Sequence, residues 1–196
     1  MKKQAIVAKL PPKKFDVTSY LTMRMRQNLY HHMYEIAKEH ADIAKQLDGK
    51  DIKSELKESM ISILFSYTCL EAYINAVGSD ELGKDWVRFE NNNLESKWIG
   101  VARELATRKA GRIVSPFSDS KEPFKSFKKL GRIRDKIIIH RKAEFMDIVD
   151  TKYGNMDGTI NIVNCDTAEW SCKIVKSMVR KLNQYINKPP ADSWLL

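Results

Sequence analysis

Apolar residues recur at steps of three and four along most of this chain, which is the pattern of amphipathic α-helices. The pattern predicts a first helix over 17–47 and a second over 51–77, which Gly78 would end. The second helix is apolar on nearly all sides, as is typical of a buried central helix. Between Met60 and Gly78 its only charged residue is Glu71, which would need a cation or several hydrogen-bond donors if buried.

Three further helices are predicted in the second half of the chain, over 94–110, 123–148 and 167–187. Polar residues form the connections before them, with a short helical turn around Trp86. A small β-hairpin is predicted near residues 150–164, where Tyr-Gly-Asn and Asp-Gly precede an alternating apolar run. Asp166 and Glu169 have the spacing of a capping box at the start of the last helix.

The composition supports a mostly helical chain. The 196 residues are 43% apolar, enough for a hydrophobic core, yet include only 8 Gly and 6 Pro, few for an all-β protein. We therefore expect an all-α fold in which residues 16–188 form one domain. A basic flexible arm over 1–15 and a tail over 189–196 would flank it.

The cysteines and the hydropathy bear on the bound groups and the cellular location to be expected. Three cysteines without CxxC spacing predict neither a disulfide framework nor a metal site, and no cofactor is expected. The N-terminus lacks the apolar stretch of a signal peptide, and no run of about 18 apolar residues predicts a membrane span. A cytoplasmic protein is expected. The chain also lacks a Gly-rich phosphate loop and an HExxH motif, which argues against a kinase, a P-loop protein or a zinc enzyme.

The net charge of +9 is unevenly distributed. Residues 97–142 hold fourteen Lys and Arg against four Asp and Glu, a net charge of +10, and the rest of the chain is near −1. A clustered basic excess favours a phosphate-rich ligand more than a diffuse one does. The alternative is a solvated basic helix face without a ligand.

Two arginines interrupt the apolar stripe of the fourth helix. Arg134 and Arg141 stand where the repeat expects apolar residues, so they would pair with a buried group or line a cleft. In this segment Arg134 is followed by Asp135 and, after an aliphatic run, by His140. Histidine suits proton transfer near neutral pH, and the arginine fork suits a phosphate.

This segment resembles the Arg-to-His motif of the HEPN family (higher eukaryotes and prokaryotes nucleotide-binding domain). The buried stretch with Glu71 and Asn75 one turn apart, and the stretch Leu94–Trp98, are also similar to elements of prokaryotic HEPN groups, so that the likeness spans about residues 55–145. One departure is that five residues separate Arg134 from His140, where four are commonest in the family. In an ideal α-helix six steps turn through about 600°, which leaves the two side chains roughly 120° apart.

The resemblance implies a helical bundle of about five helices that forms a homodimer, whose two-fold axis would bring two motifs together. It implies a metal-independent endoribonuclease in a toxin or antiviral-defence role, with RNA or a nucleotide as ligand and an antitoxin protein as a further partner. Arg134 and His140 would be catalytic, and the RNA backbone would be held by Arg132, Lys136 and Arg141. Supporting roles fall to Glu71, Asn75, Lys97 and Asp135, with Glu71 expected to pair with Arg134 or Lys97.

Two other interpretations stay open at this point. Many HEPN-like proteins are non-catalytic, so the chain could be a module that binds a nucleotide or RNA without cutting it. It could also be a purely structural interaction protein whose basic face contacts an acidic partner. If the motif has no function, Arg134 would be a core-edge arginine salt-bridged to Glu71, and His140 would have no chemical role.

Overall fold

A computed structural model describes residues 17–139, 148–151, 154–157 and 162–186; for 17–28, for 136, 137 and 139, and for the strands it describes the backbone alone. Apart from one short ribbon, the regular structure of the described part is helical, which confirms the predicted all-α class with about five helices. The α-helices are α1 (Val17–Leu47), α2 (Ile52–Leu82), α3 (Leu94–Ala110), α4 (Phe124–Arg132) and α5 (Cys165–Asn183). A 3₁₀ helix, Gly83–Arg88, follows α2, and a π-helical segment, Ile133–Ile139, follows α4.

Helix α2 is the centre of the bundle and packs chiefly against α1 and α5. Its side chains Ile63, Leu70 and Ile74 are fully buried, as the apolar sequence of this helix predicts. Small polar residues let α5 approach it closely: Ser66 is hydrogen-bonded to Ser171 over 2.8 Å, both hydroxyls being buried. Because Ser171 already donates to a carbonyl of its own helix, Ser66 is the donor in this pair.

The predicted ends of α1 and α3 are confirmed, but the predicted end of α2 is wrong. Helix α2 continues through Gly78 and stops at Gly83, whose φ of 54° suits glycine. Gly78 serves packing instead, because a Cβ there would lie 2.2 Å from Cζ3 of Trp86. The Trp86 side chain of the 3₁₀ helix therefore packs over α2 at Gly78, where the sequence predicts that the helix ends.

The fourth predicted helix is also shorter than expected. Helix α4 gives way to the π-helical segment at Ile133, and Ile148, expected to be helical, begins a strand. The strands β1 (Ile148–Thr151) and β2 (Gly154–Asp157) pair antiparallel, with Ile148 opposite Asp157. The ribbon thus starts two residues before the predicted hairpin, since β-branched residues begin it and favour strand geometry.

Helix α5 begins earlier and ends earlier than predicted. Its N-cap is Asn164, whose side chain accepts a hydrogen bond from the Thr167 amide over 3.0 Å, so the proposed capping box of Asp166 and Glu169 is wrong. Asp166 instead lies in the first turn, where a negative charge is favourable. The predicted arm over 1–15 and tail over 189–196 lie outside the described residues.

One helical stretch in the described part, Ile52–Arg88, is long and apolar enough to cross a membrane by length and composition alone, with a mean hydropathy of 1.3 over its best window. Half of that window is buried inside the protein. Central helices of soluble bundles pass the same test, so this stretch does not place the protein in or out of a membrane.

Candidate nucleic-acid interface

Helix α4 has one apolar face and one basic face. The apolar face is buried and consists of Phe124, Phe127, Leu130 and Gly131. Lys125, Lys129 and Arg132, at positions i, i+4 and i+7, lie along the opposite face and are exposed. We call these three residues the α4 basic stripe. Seven residue steps of an α-helix span about 10 Å, so the stripe presents three cations to solvent over that length.

Arg134 lies just beyond the stripe, at the second position of the π-helical segment. Its guanidinium carbon is 4.5 Å from the centroid of the Tyr67 ring, and its Nη1 donates to Oδ1 of Asp135 over 2.7 Å. The side chain is 31% exposed, so the fork is held on one face and open to solvent on another. An arginine stacked on an aromatic ring loses rotational freedom and keeps donors for a second anion.

Tyr67 is the platform for Arg134. The ring is buried, stacks on Phe127 at a centroid distance of 5.8 Å, and approaches Gly131 so closely that a Cβ there would lie 3.2 Å from its Cε2. Burial raises the pKa of the Tyr67 hydroxyl, while the charge of Arg134 acts to lower it. The phenol therefore stays neutral near pH 7, and the ring presents an uncharged face to the guanidinium.

The π-helical segment contains Arg134 and ends at Ile139, the residue before the predicted catalytic histidine. Such segments are rare and occur often at functional sites. Each π turn takes in one residue more than an α turn, so it changes the angle between side chains before and after it. His140 and Arg141 lie outside the described residues, as does the side chain of Lys136, so the spacing argument for Arg134 and His140 stays a prediction.

The supporting residues fall into two groups. Glu71 is half-buried and acts electrostatically on Tyr67, which places it in the Tyr67–Arg134–Asp135 group. Lys97, only 8% exposed, donates from Nζ to Oδ1 of Asn75 over 3.0 Å and lies 5.6 Å from the Trp86 ring centroid.

Among the described residues neither Arg134 nor Lys97 forms an ion pair with Glu71, because Asp135 and Asn75 take those positions. The expected pairing of Glu71 is therefore not the one observed. Asp135, for which a supporting role is expected, is in direct contact with Arg134.

Part of the basic excess is neutralised by ion pairs within the chain. Arg108 pairs with Asp85 over 2.6 Å and with Glu104 over 3.0 Å. Lys128, on the flank of α4, pairs with Asp119 over 3.0 Å. The α4 basic stripe is thus a more specific candidate for an anion surface than the whole 97–142 segment.

Tyr67 is the site residue that sequence reasoning missed. In the sequence it belongs to the apolar repeat of α2, which indicates a core position and no functional role. A usable signal was present, because Tyr67 stands four residues before Glu71 and therefore on the same helix face. Its aromatic ring is what brings Arg134, from a distant helix, onto α2.

Comparison of this chain with family models, with curated proteins and with solved structures gives no match in any of the three. The resemblance to HEPN domains over residues 55–145 therefore stays a prediction from a few motifs. The geometry around Arg134 and the α4 basic stripe is the independent basis for assigning a function.

Proposed function

We propose that this protein is a HEPN-like, metal-independent endoribonuclease in which Arg134 holds the scissile phosphate and His140 transfers protons. The observation that carries the proposal is the position of Arg134. Its guanidinium is fixed on the Tyr67 ring, partly exposed, at the end of a stripe of exposed cations. An RNA strand lying along α4 would meet three backbone-binding charges and then this arginine.

The chemistry follows from the residue types. The 2′-hydroxyl of the RNA attacks the adjacent phosphorus, and the bond to the 5′-oxygen of the next nucleotide breaks, leaving a 2′,3′-cyclic phosphate. His140 would take the proton from the 2′-hydroxyl or give one to the leaving oxygen. Arg134 would stabilise the extra negative charge on the phosphorane with its planar fork. These steps use only groups of the protein and of the RNA.

A homodimer belongs to the same proposal. Arg134 and His140 would lie roughly 120° apart on an ideal α-helix, and the motif of a second copy across a two-fold axis would supply the missing group. The π-helical segment contains Arg134 and ends one residue before His140, so it would change this angle. A toxin or defence role in the cytoplasm, held in check by an antitoxin protein, completes the proposal by resemblance.

One observation favours a second candidate, a module that binds RNA without cutting it. The Asp135 carboxylate lies 2.7 Å from Arg134 Nη1 and neutralises part of the charge that a transition state would need. In that case Arg134 would contact RNA weakly, and the α4 basic stripe would supply most of the affinity.

The test is cleavage of an end-labelled structured RNA under single-turnover conditions in EDTA. The variants are Arg134→Ala and His140→Ala, with Arg112→Ala as the control because Arg112 is an exposed arginine of the same basic segment but lies off α4. Circular dichroism verifies that each variant is folded. We expect both site variants to lose about 10²-fold or more in rate, and the control to stay within about threefold of the unmodified protein.

The possible outcomes separate the two candidates. Cleavage that survives His140→Ala would contradict the catalytic proposal. A protein that binds RNA in a salt-dependent way but never cuts it would favour the binding module. A protein that neither binds nor cuts RNA would exclude both.

A further inference from the structure

Three metal-binding side chains meet where three helices end or begin. Asp48 directly follows α1, Glu55 lies in the first turn of α2, and Cys165 is the first residue of α5. One ligand atom from each lies within 4.8 Å of those of the other two. Cys165 lies 110 residues after Glu55, and the cysteine spacing does not predict this cluster.

Glu55 carries a second, independent sign of a missing ligand. Its side chain is only 2% exposed, and its Oε1 accepts a hydrogen bond from the Cys165 backbone amide over 3.2 Å. Its Oε2 is buried and has no hydrogen-bond partner among the residues that the structure describes. A buried carboxylate oxygen without a partner is costly, because the charge has lost its water without gaining a donor or a cation.

We infer that Asp48, Glu55 and Cys165 form a site for a divalent cation of the zinc type. A thiolate with two carboxylates suits Zn²⁺, whereas Mg²⁺ and Ca²⁺ prefer oxygen ligands alone. The site is empty. In a tetrahedral zinc site the ligand atoms are about 3.4–3.6 Å apart, so the distances within the cluster must shorten by about 1.4 Å at most. Asp48 is exposed, which leaves an entry route and room for a water as the fourth ligand.

The cation would act as a clamp on the fold. It would join the α1–α2 turn to the start of α5, next to the Asn164 cap, and so fix the two helices that pack on α2. The role is structural and stands apart from the α4 site. With free Zn²⁺ at about a hundred times its dissociation constant, the melting temperature should rise by about 5–10 °C.

The competing explanation is a carboxylate that serves the α5 N-terminus and interacts with the Cys165 thiol, without any metal. Negative charge near a helix N-terminus is favourable, so Glu55 has a partial compensation already. In that case Zn²⁺ would neither bind in a one-to-one ratio nor raise the melting temperature.

The experiment titrates the full-length protein with Zn²⁺ alone against a chelating dye, with Mg²⁺ as a parallel probe. The test variants are Cys165→Ser and Glu55→Gln. Their matched controls are Cys69→Ser, which keeps a hydrogen-bond donor toward the Tyr30 carbonyl, and Asp166→Asn, an exposed carboxylate in the same turn of α5. Co²⁺ in place of Zn²⁺ adds a spectroscopic test, because a thiolate ligand produces a charge-transfer band.

A surface group could bind zinc adventitiously and needs its own control. His31 and His32 both contact the carboxylate of Glu35, over 2.9 Å and 3.0 Å. All titrations are therefore repeated in a His31→Gln/His32→Gln background. Binding that disappears in this background would overturn the inference.

We expect one Zn²⁺ per chain, a loss of at least tenfold in affinity for Cys165→Ser and for Glu55→Gln, and unchanged affinity for both controls. The cobalt charge-transfer band should vanish in Cys165→Ser alone among the cysteine variants. If Glu55→Gln fails to fold, Cys165→Ser and the cobalt spectrum decide the matter. Absence of one-to-one binding in the unmodified protein, or equal binding in both cysteine variants, would refute the site.

Discussion

Replacing Gly78 by alanine places a methyl group inside the van der Waals envelope of Trp86. The new Cβ would lie 2.2 Å from Cζ3 and 2.3 Å from Cε3 of that ring. Both atoms belong to one rigid aromatic plane, so the ring must move as a whole. Its movement also disturbs the cation–π contact with Lys97, which lies 5.6 Å from the ring centroid.

Two effects of opposite sign set the magnitude. Alanine in a helix interior is favoured over glycine by about 1 kcal/mol. Overpacking a filled site costs about 1–3 kcal/mol, and weakening a cation–π contact costs about 0.5–1 kcal/mol. The cost of the steric overlap exceeds the gain in helix propensity, so we expect Gly78→Ala to lower the free energy of unfolding by about 1–2 kcal/mol.

Gly131→Ala is the matched control. It also replaces a buried helical glycine, but its Cβ would lie 3.2 Å from Cε2 of Tyr67, a contact that a small shift of the ring relieves. We expect this variant to stay within about 1 kcal/mol of the unmodified protein, because the gain in helix propensity offsets the tighter contact.

Urea denaturation followed by circular dichroism measures both variants, with the slope m checked for constancy. A loss of about 1–2 kcal/mol corresponds to a melting temperature lower by about 2–8 °C for a chain of this size. If Gly78→Ala is as stable as the unmodified protein, Trp86 does not close over α2 in solution. The explanation that Gly78 serves packing against Trp86, and not the end of α2, would then be wrong.

Three further predictions concern charged and aromatic contacts. Tyr67→Leu should reduce the RNA cleavage rate, whereas Tyr67→Phe should keep most of it, because the aromatic ring alone positions Arg134. Equal cleavage rates for the two variants in a labelled-RNA assay would contradict this. Asp135→Asn should tighten RNA binding about two- to tenfold in fluorescence anisotropy, since it frees Arg134 Nη1; weaker binding would show that Asp135 orients the arginine. The hydrogen bond from His40 holds the pKa of Glu58 below its usual value. The ionised Glu58 therefore stabilises the folded protein above pH about 4.5, and this contribution disappears as the pH falls through the lowered pKa. Glu58→Gln should therefore be less stable by about 1–2 kcal/mol at pH 7, and thermal melts at acidic pH should show the difference vanishing; a constant difference would refute the linkage.

The periodic pattern predicts the helices well where local and tertiary signals agree. Helix α3 is predicted to the residue, because its apolar stripe ends at Gly111, which adopts a left-handed φ of 64°. Gly78 has a different role, because it makes room for the ring of Trp86. The local sequence does not identify Trp86 as its partner. Glycine alone therefore does not tell a helix end from a close packing contact.

The candidate site was predictable in part. Arg134 stood out because a cation occupied an apolar stripe position, and the structure places it at the protein surface beside Asp135. Its aromatic platform, Tyr67, and the π-helical segment depend on contacts between helices, which periodicity does not encode. The cluster of Asp48, Glu55 and Cys165 is a similar case, since folding alone brings these three residues together.

The chemistry of the RNA ends tests the central claim most directly. RNA incubated with the full-length protein in EDTA, at a temperature where its fold persists without bound cations, is analysed by mass spectrometry. Attack by the 2′-hydroxyl predicts fragments with 2′,3′-cyclic phosphate and 5′-hydroxyl ends, absent when Arg134 or His140 is replaced by alanine. Fragments with 5′-phosphate ends, or intact RNA throughout, would contradict the account.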